Sequence, residues 1–308
     1  MYIEQAYKGS TETWKYVIGI ATIFLGWQVV GNIPLMIVLI MKFIEMGITP
    51  STPAEIIQVL GSNLFLILLI FSFLVGLLTL IFWNKWVHRI SMKEFTTVRK
   101  KVDFGRVRFG FFLVIVFNLL TFLLDYSMAP ENYQWNFDWE KFIILALIVI
   151  PFLPLQTSFE EYFVRGYMMQ ALGVISGKRW VPLLITSVFF GILHILNPEV
   201  DKLGYIVMVY YIGTGFLLGI MTLMDDGLEL ALGYHAGNNI LTALLVTSDW
   251  TALQTDSIFL DVSDPEVGIE IITPILLYAV ILFILAKKYK WTNWKEKLFG
   301  KVVPSNPE

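Results

Sequence analysis

Cysteine is absent from all 308 residues, which removes disulfide frameworks, thiolate nucleophiles, cysteine zinc sites and iron–sulfur clusters in one step. Charge is scarce as well. Only 15% of residues are Asp, Glu, Lys or Arg, against about 25% in soluble domains. Histidine occurs three times, at positions 88, 194 and 235. Internal repeats, low-complexity tracts and nucleic-acid signatures are missing, so nucleic acid is not expected as a partner. What the chain has instead is oil: 56% hydrophobic residues and a mean hydropathy of +0.69. The bilayer is its expected solvent.

Apolar runs near 17–41, 60–83, 109–124, 142–158, 180–196, 205–224, 228–247 and 268–286 suit helices crossing a hydrocarbon layer of about 30 Å. An outer-membrane barrel would show short alternating segments, whereas Leu64 to Leu80 and Phe111 to Leu124 are almost continuously apolar, so backbone groups must be satisfied within helices. The sequence therefore predicts an all-α, polytopic integral membrane protein of about eight transmembrane helices. Of the 22 Lys and Arg, 19 fall on one side of the alternating connections. The positive-inside rule then places both termini in the cytoplasm, with the cell membrane as the expected location. Gly31-Asn32-Ile33-Pro34 is expected to kink the first span, and Pro151 and Pro154 to bend or divide the fourth, which is too long for one straight crossing. Gly215-x-x-x-Gly219 reads as close helix packing. Trp83, Trp86, Trp135, Trp139, Trp180 and Trp291 are expected near the interfaces, and His88, beside Lys85 and Arg89, as a solvated residue.

Ionisable groups at membrane depth are costly and mark function by default. Three segments carry them: Glu160-Glu161-Tyr162-Phe163-Val164-Arg165, Phe190-Gly191-Ile192-Leu193-His194, and His235-Ala236-Gly237-Asn238-Asn239. Glu160 lies 17 residues before Gly177, the expected turn, and His194 lies 17 after it. Antiparallel helices with equal arms bring both groups to one depth. His235, six residues from Glu229, belongs nearer the cytoplasmic face unless its helix tilts or Asp226 and Glu229 are themselves recessed, and a cavity opening to the cytoplasm is expected. Glu161 and Arg165 are spaced i, i+4 for a same-face pair, leaving Glu160 free. His235 and Asn239 share the same spacing and could donate together to an oxyanion, while Phe190 could wall the pocket. A glutamate in a partly dry pocket can act as general base on water. His-Glu-x-x-His, Gly-x-Ser-Gly and Gly-x-Gly-Asp motifs are all absent.

The ordered set Glu-Glu-x-x-x-Arg at 160–165, Phe-x-x-x-His at 190–194 and His-x-x-x-Asn at 235–239 resembles the three motifs of the CAAX protease and bacteriocin-processing (CPBP, or Abi) family of intramembrane endopeptidases. The resemblance implies that Glu160 activates water, that His194 assists it, that His235 and Asn239 stabilise the oxyanion, and that Glu161 and Arg165 shape the site. No cofactor is required by this reading. The family has also been described as metalloproteases, in which case Glu160, Glu161, His194 and His235 would hold zinc. The expected division is an N-terminal transmembrane region at 1–139, a CPBP-like catalytic core at 140–247, and an outer loop, last helix and basic tail at 248–308. The implied substrate is a membrane-associated or lipidated peptide or protein: a CAAX-type tail, a bacteriocin leader or a signalling propeptide. Adjacent glutamates can equally be first-turn helix charges, and His235 and Asn239 interhelical hydrogen-bond glue, as can Asn63 and Asn118. The competing functions are a non-catalytic scaffold or immunity protein using the same cavity, and a transporter with a carboxylate proton relay.

Overall fold

The computed structural model describes residues 1–47, 50, 52–264 and 273–304. Among them, eight principal apolar helices follow one another along the chain: α1 (Thr13–Met46), α2 (Ser62–His88), α3 (Phe104–Met128), α4 (Trp139–Ser176), α5 (Trp180–Ile192), α6 (Tyr205–Asp225), α7 (Glu229–Leu245) and α8 (Thr273–Tyr289). Five of these, α1 to α4 and α6, are long and apolar enough to cross a membrane. The helices α5, α7 and α8 have 13, 17 and 17 described residues, below the roughly 20 needed for a straight crossing. Eight expected spans therefore reduce to five that meet the length requirement, and residues 268–272 of the expected last span lie outside the described residues. The outer faces are apolar: Phe112, Val116, Leu120 and Leu124 of α3, like Met36, Ile40 and Ile44 of α1, point outward and are exposed. Such stripes suit lipid rather than water.

Local chemistry sets the helix ends. Asp103 and Asp138 accept hydrogen bonds from the first free amides of α3 and α4 (Gly105 N 2.9 Å, Glu140 N 3.0 Å), as side chains at this position should. The left-handed Gly177, at φ +65°, closes α4. Of the bend or division expected at Pro151 and Pro154, the division is not found. Trp139–Glu161 is one uninterrupted α-helix around them, and the irregularity falls at a π-helical stretch, Tyr162–Met168. Likewise α1 changes geometry at Gly26–Val30, just before the expected kink.

One end of the bundle gathers the basic connections. Arg99 pairs with Asp225 (2.9 Å) and Glu229 (3.1 Å), Lys297 with Asp226 (2.6 Å), and Arg179 with Glu4. The Tyr2 amide donates to Asp226 (3.0 Å). Both terminal segments thus close over the same face. At the opposite end the all-α expectation needs a correction. The connections flanking α3–α4 and following α7 lie side by side, and their free backbone groups pair as a small sheet of β1 (Tyr133–Trp135), β2 (Val246–Thr247) and β3 (Phe259–Asp261). Strand β3 is central, antiparallel to β1 and parallel to β2.

One further expectation is corrected. His88 is buried, not solvated: its Nδ1 donates to the Ser10 carbonyl (2.7 Å), which leaves Nε2 to accept from the Tyr167 hydroxyl (2.7 Å). Trp291 also turns inward, its indole N–H donating to Asp225 (3.1 Å), because the end of the bundle offers a buried carboxylate.

The closest helix contact is between α3 and α7. A Cβ on Gly233 would meet the Val107 carbonyl oxygen at 1.9 Å, one on Gly237 the Phe111 carbonyl oxygen at 2.7 Å, and one on Gly110 the Leu230 carbonyl oxygen at 2.5 Å. Gly215 and Gly219 play the expected packing role between α6 and α5, facing Ser187 and Leu183. Small residues allow this approach, and at Gly233 the obstructing atoms are backbone, which cannot rotate away. Gly233→Ala is expected to destabilise the protein by at least about 1–3 kcal/mol. The check is the midpoint of thermal unfolding in detergent, which should fall clearly below that of wild type.

Candidate active site

Glu160 and Glu161 close the regular part of α4, in the middle of the Trp139–Ser176 pass and far from a helix start. A first-turn dipole role is therefore excluded by position. His194 is the second residue beyond the end of α5, and His235 and Asn239 lie within α7. His235 meets the glutamates, its Nδ1 2.8 Å from Glu161, and Glu229, six residues earlier, is fully buried in the protein and held by Arg99 and by the amide of Asp103 (3.2 Å).

The site is built from charge compensation outward. Arg165, fully buried, donates to Glu161 Oε1 at 2.8 Å, and a second guanidinium nitrogen faces the Gly215 carbonyl at 3.4 Å. His235 Nδ1 stands 2.8 Å from the same Glu161 oxygen, while its Nε2 stands 3.4 Å from Glu160 Oε2. Arg165, Glu161, His235 and Glu160 thus form one continuous line. The guanidinium also lies 4.1 Å above the Phe190 ring, and that ring meets His194 and His235 at 4.9 and 5.8 Å.

Glu160, His194, His235 and Asn239 all line one cavity of about 90 Å³, room for several water molecules. Phe190 walls it as expected. Glu161 and Arg165 stand behind this lining. His194 faces the cavity with Nδ1 donating to the Phe190 carbonyl (2.8 Å), which leaves Nε2 as an acceptor. Its ring stacks on Tyr211 at 4.2 Å. His235 and Asn239 also bond across helices, to Glu161 and to Gln156, so their contacts include the interhelical role weighed for them.

Several lining residues escaped the sequence reading. Tyr210, Tyr211 and Tyr278, with Thr214, also line the cavity, from the first halves of α6 and α8. Tyrosines in apolar helices read as packing, and nothing in their spacing sets them apart. Gln156 carried a usable signal. It is the one carboxamide in the apolar run before Glu160, one turn ahead of it, and it donates to Glu160 Oε1. Asn118 and Asn238 complete the polar set, Asn118 donating to Asn238 at 3.0 Å.

His235 uses Nδ1 on Glu161 and His194 uses Nδ1 on the Phe190 carbonyl, so each has only Nε2 left for a further partner. Among the described residues no group of three or more His, Asp or Glu side chains is placed to hold a metal, whereas zinc takes three protein ligands in catalytic sites.

Paired glutamates and two histidines thus meet around one buried cavity of a helical, apolar protein. Residues 138–241 match the family described as type II CAAX prenyl endopeptidase Rce1-like, consistent with the CPBP family. The matched stretch contains Glu160, Glu161, Arg165, His194, His235 and Asn239. That family implies protease activity. Over 247 residues the chain is 28% identical to the "Uncharacterized protein YyaK" of Bacillus subtilis (strain 168), an alignment covering 78% of this chain and 80% of that protein. No solved structure matches the chain.

Removing one partner of a buried ion pair strands the other. Arg165→Met should therefore cost about 3–5 kcal/mol of stability, seen as a lowered thermal midpoint in detergent. Combining it with Glu161→Gln should restore part of the loss, because no uncompensated charge is then left buried.

Proposed function

We propose that this protein is an intramembrane endopeptidase that hydrolyses a peptide bond of a membrane-associated or lipidated peptide with water activated by Glu160. Glu160 Oε2 has no hydrogen-bond partner within the protein and is buried at the cavity wall. An ionised carboxylate there accepts one proton of a water molecule, and His194 Nε2, unprotonated because Nδ1 holds the proton, accepts or orients the other. Attack on the carbonyl carbon forms the C–O bond and places negative charge on the carbonyl oxygen. Asn239 N–H and, in its imidazolium form, His235 Nε2–H donate to that oxygen. Glu160 then returns its proton to the leaving amine, and the C–N bond breaks. Arg165 and Glu161 hold His235 in place and balance the buried charge. No metal takes part in these steps. CAAX-type tails, bacteriocin leaders and signalling propeptides are all compatible with this chemistry.

The observation that carries the reading is the meeting of Glu160, His194, His235 and Asn239 in one cavity within the segment that matches the endopeptidase family. Reconstituted protein should cleave members of a membrane-anchored peptide library, and Glu160→Gln should slow that cleavage roughly 100- to 10,000-fold. Identical products from folded wild type and Glu160→Gln would end the protease reading in favour of a scaffold. Treatment with a zinc chelator should leave cleavage unchanged. Inactivation reversed by added zinc would end the metal-free mechanism.

We further propose that all eight passes cross the cell membrane with both termini in the cytoplasm, on the strength of the basic face that joins both terminal segments. The lack of cysteine makes the test direct. Lys100 and Glu131 are exposed at opposite ends. On intact cells an impermeant maleimide should label Glu131→Cys at once and Lys100→Cys only after permeabilisation. The opposite pattern inverts the topology.

A further inference from the structure

The hydrogen bonds leading away from Glu160 form a chain with one sense of direction. Gln156 Nε2 donates to Glu160 Oε1 at 2.5 Å, Asn239 Nδ2 to Gln156 Oε1 at 3.2 Å, Asn238 Nδ2 to Asn239 Oδ1 at 3.1 Å, and Asn118 Nδ2 to Asn238 Oδ1 at 3.0 Å. Four carboxamides from α4, α7 and α3 are thus joined head to tail and end on one carboxylate. Its orientation follows from the inventory of donors and acceptors. An ionised carboxylate only accepts, so Gln156 must turn its NH₂ toward Glu160 and its oxygen away. That oxygen needs a donor, which fixes Asn239, and the same reasoning fixes Asn238 and then Asn118.

From this geometry we infer that Gln156 is a positioning residue for the reaction proposed above, and that the carboxamide chain it heads sets the base and the oxyanion donor together. This rests on the reading of Glu160 as the base. Two consequences distinguish the chain from ordinary helix glue. Binding Oε1 through Gln156 leaves Oε2, the oxygen without a protein partner, as the one that takes the water. Holding one N–H of Asn239 on Gln156 leaves its second N–H, on a side chain that lines the cavity, at an angle fixed before substrate arrives. Aligned amide dipoles in a low-dielectric interior also polarise one another along the chain, so a break at its far end is felt at Glu160. Asn118 supplies that far end from α3 and is not part of the cavity lining.

The test uses full-length protein reconstituted in liposomes and the peptide that wild type cleaves best. Gln156→Met keeps the side-chain length and removes both links. It should lower kcat about 10- to 100-fold, the loss of a hydrogen bond to a charged group, with KM little changed. Asn118→Leu should lower kcat in the wild-type background and have no further effect on Gln156→Met. Gln156→Met combined with Asn239→Ala should be no slower than the worse single variant, because residues acting as a unit are non-additive. Losses that multiply, or a Gln156→Met enzyme as fast as wild type, overturn the inference. Should Gln156→Met not fold, Asn118→Leu with wild-type kcat is by itself sufficient to overturn it. The two readings fail separately. A fully active Glu160→Gln removes the hydrolase, whereas an inactive Glu160→Gln beside a fully active Gln156→Met removes only the positioning chain.

Discussion

Two carboxylates side by side in the middle of an apolar helix must find compensation inside the protein, because neither lipid nor packed side chains can solvate them. The arrangement of α3, α4, α6 and α7 follows from that need. Glu161 is met by Arg165 on its own helix and by His235 from α7. Glu160 is met by Gln156 on one oxygen and approached by His235 on the other. Bringing the two α7 side chains to that level requires α7 to lie almost in backbone contact with α3. Gly233 and Gly237 permit it, on opposite sides of His235 in sequence. The glycines and the charges are parts of one solution.

The motif residues were legible because an ionisable group in an oily run is conspicuous, and the equal arms about Gly177 placed Glu160 and His194 together without coordinates. The fold was legible to the extent that apolar run length measures a helix. Where it was not, the cause is identifiable. His88 looked solvated because its neighbours in sequence, Lys85 and Arg89, are charged, but its partners come from Ser10 and Tyr167, and distant pairings of that kind leave no local trace. The prolines of α4 promised a break, yet neighbouring helices can resatisfy freed backbone groups in a membrane bundle, and the irregularity instead follows Glu161 at Tyr162–Met168. The π-helical stretch carries Arg165, which pairs with Glu161 one turn back on the same helix, and Tyr167, which ties α4 to His88. The tyrosine end of the cavity was invisible because aromatic residues at helical spacing carry no mark of whether they face a void or a neighbour. The small sheet was invisible because its strands are two or three residues long.

Charge sorting along the chain separates structural from chemical uses of the same residue types. Arg99, Arg106, Lys297 and Arg179 are paired with acids at one end of the bundle, where Lys297 and Arg179 clamp the terminal segments and Arg99 and Arg106 join the residues before and at the start of α3 to the end of α6. Glu160, Glu161 and Arg165 sit on the pass between the ends, where ion pairing is expensive and an unfilled carboxylate oxygen is a resource for moving a proton.

The shortness of α5 bears on the membrane itself. Its 13 residues rise about 20 Å, well under the hydrocarbon thickness of about 30 Å. Under the proposed topology, a bilayer meeting so short a wall would have to pinch inward or let head groups and water descend beside it. His194 stands just beyond the end of α5, so for the proposed hydrolase the thickness of the surrounding lipid would become a variable that controls how wet the cavity is.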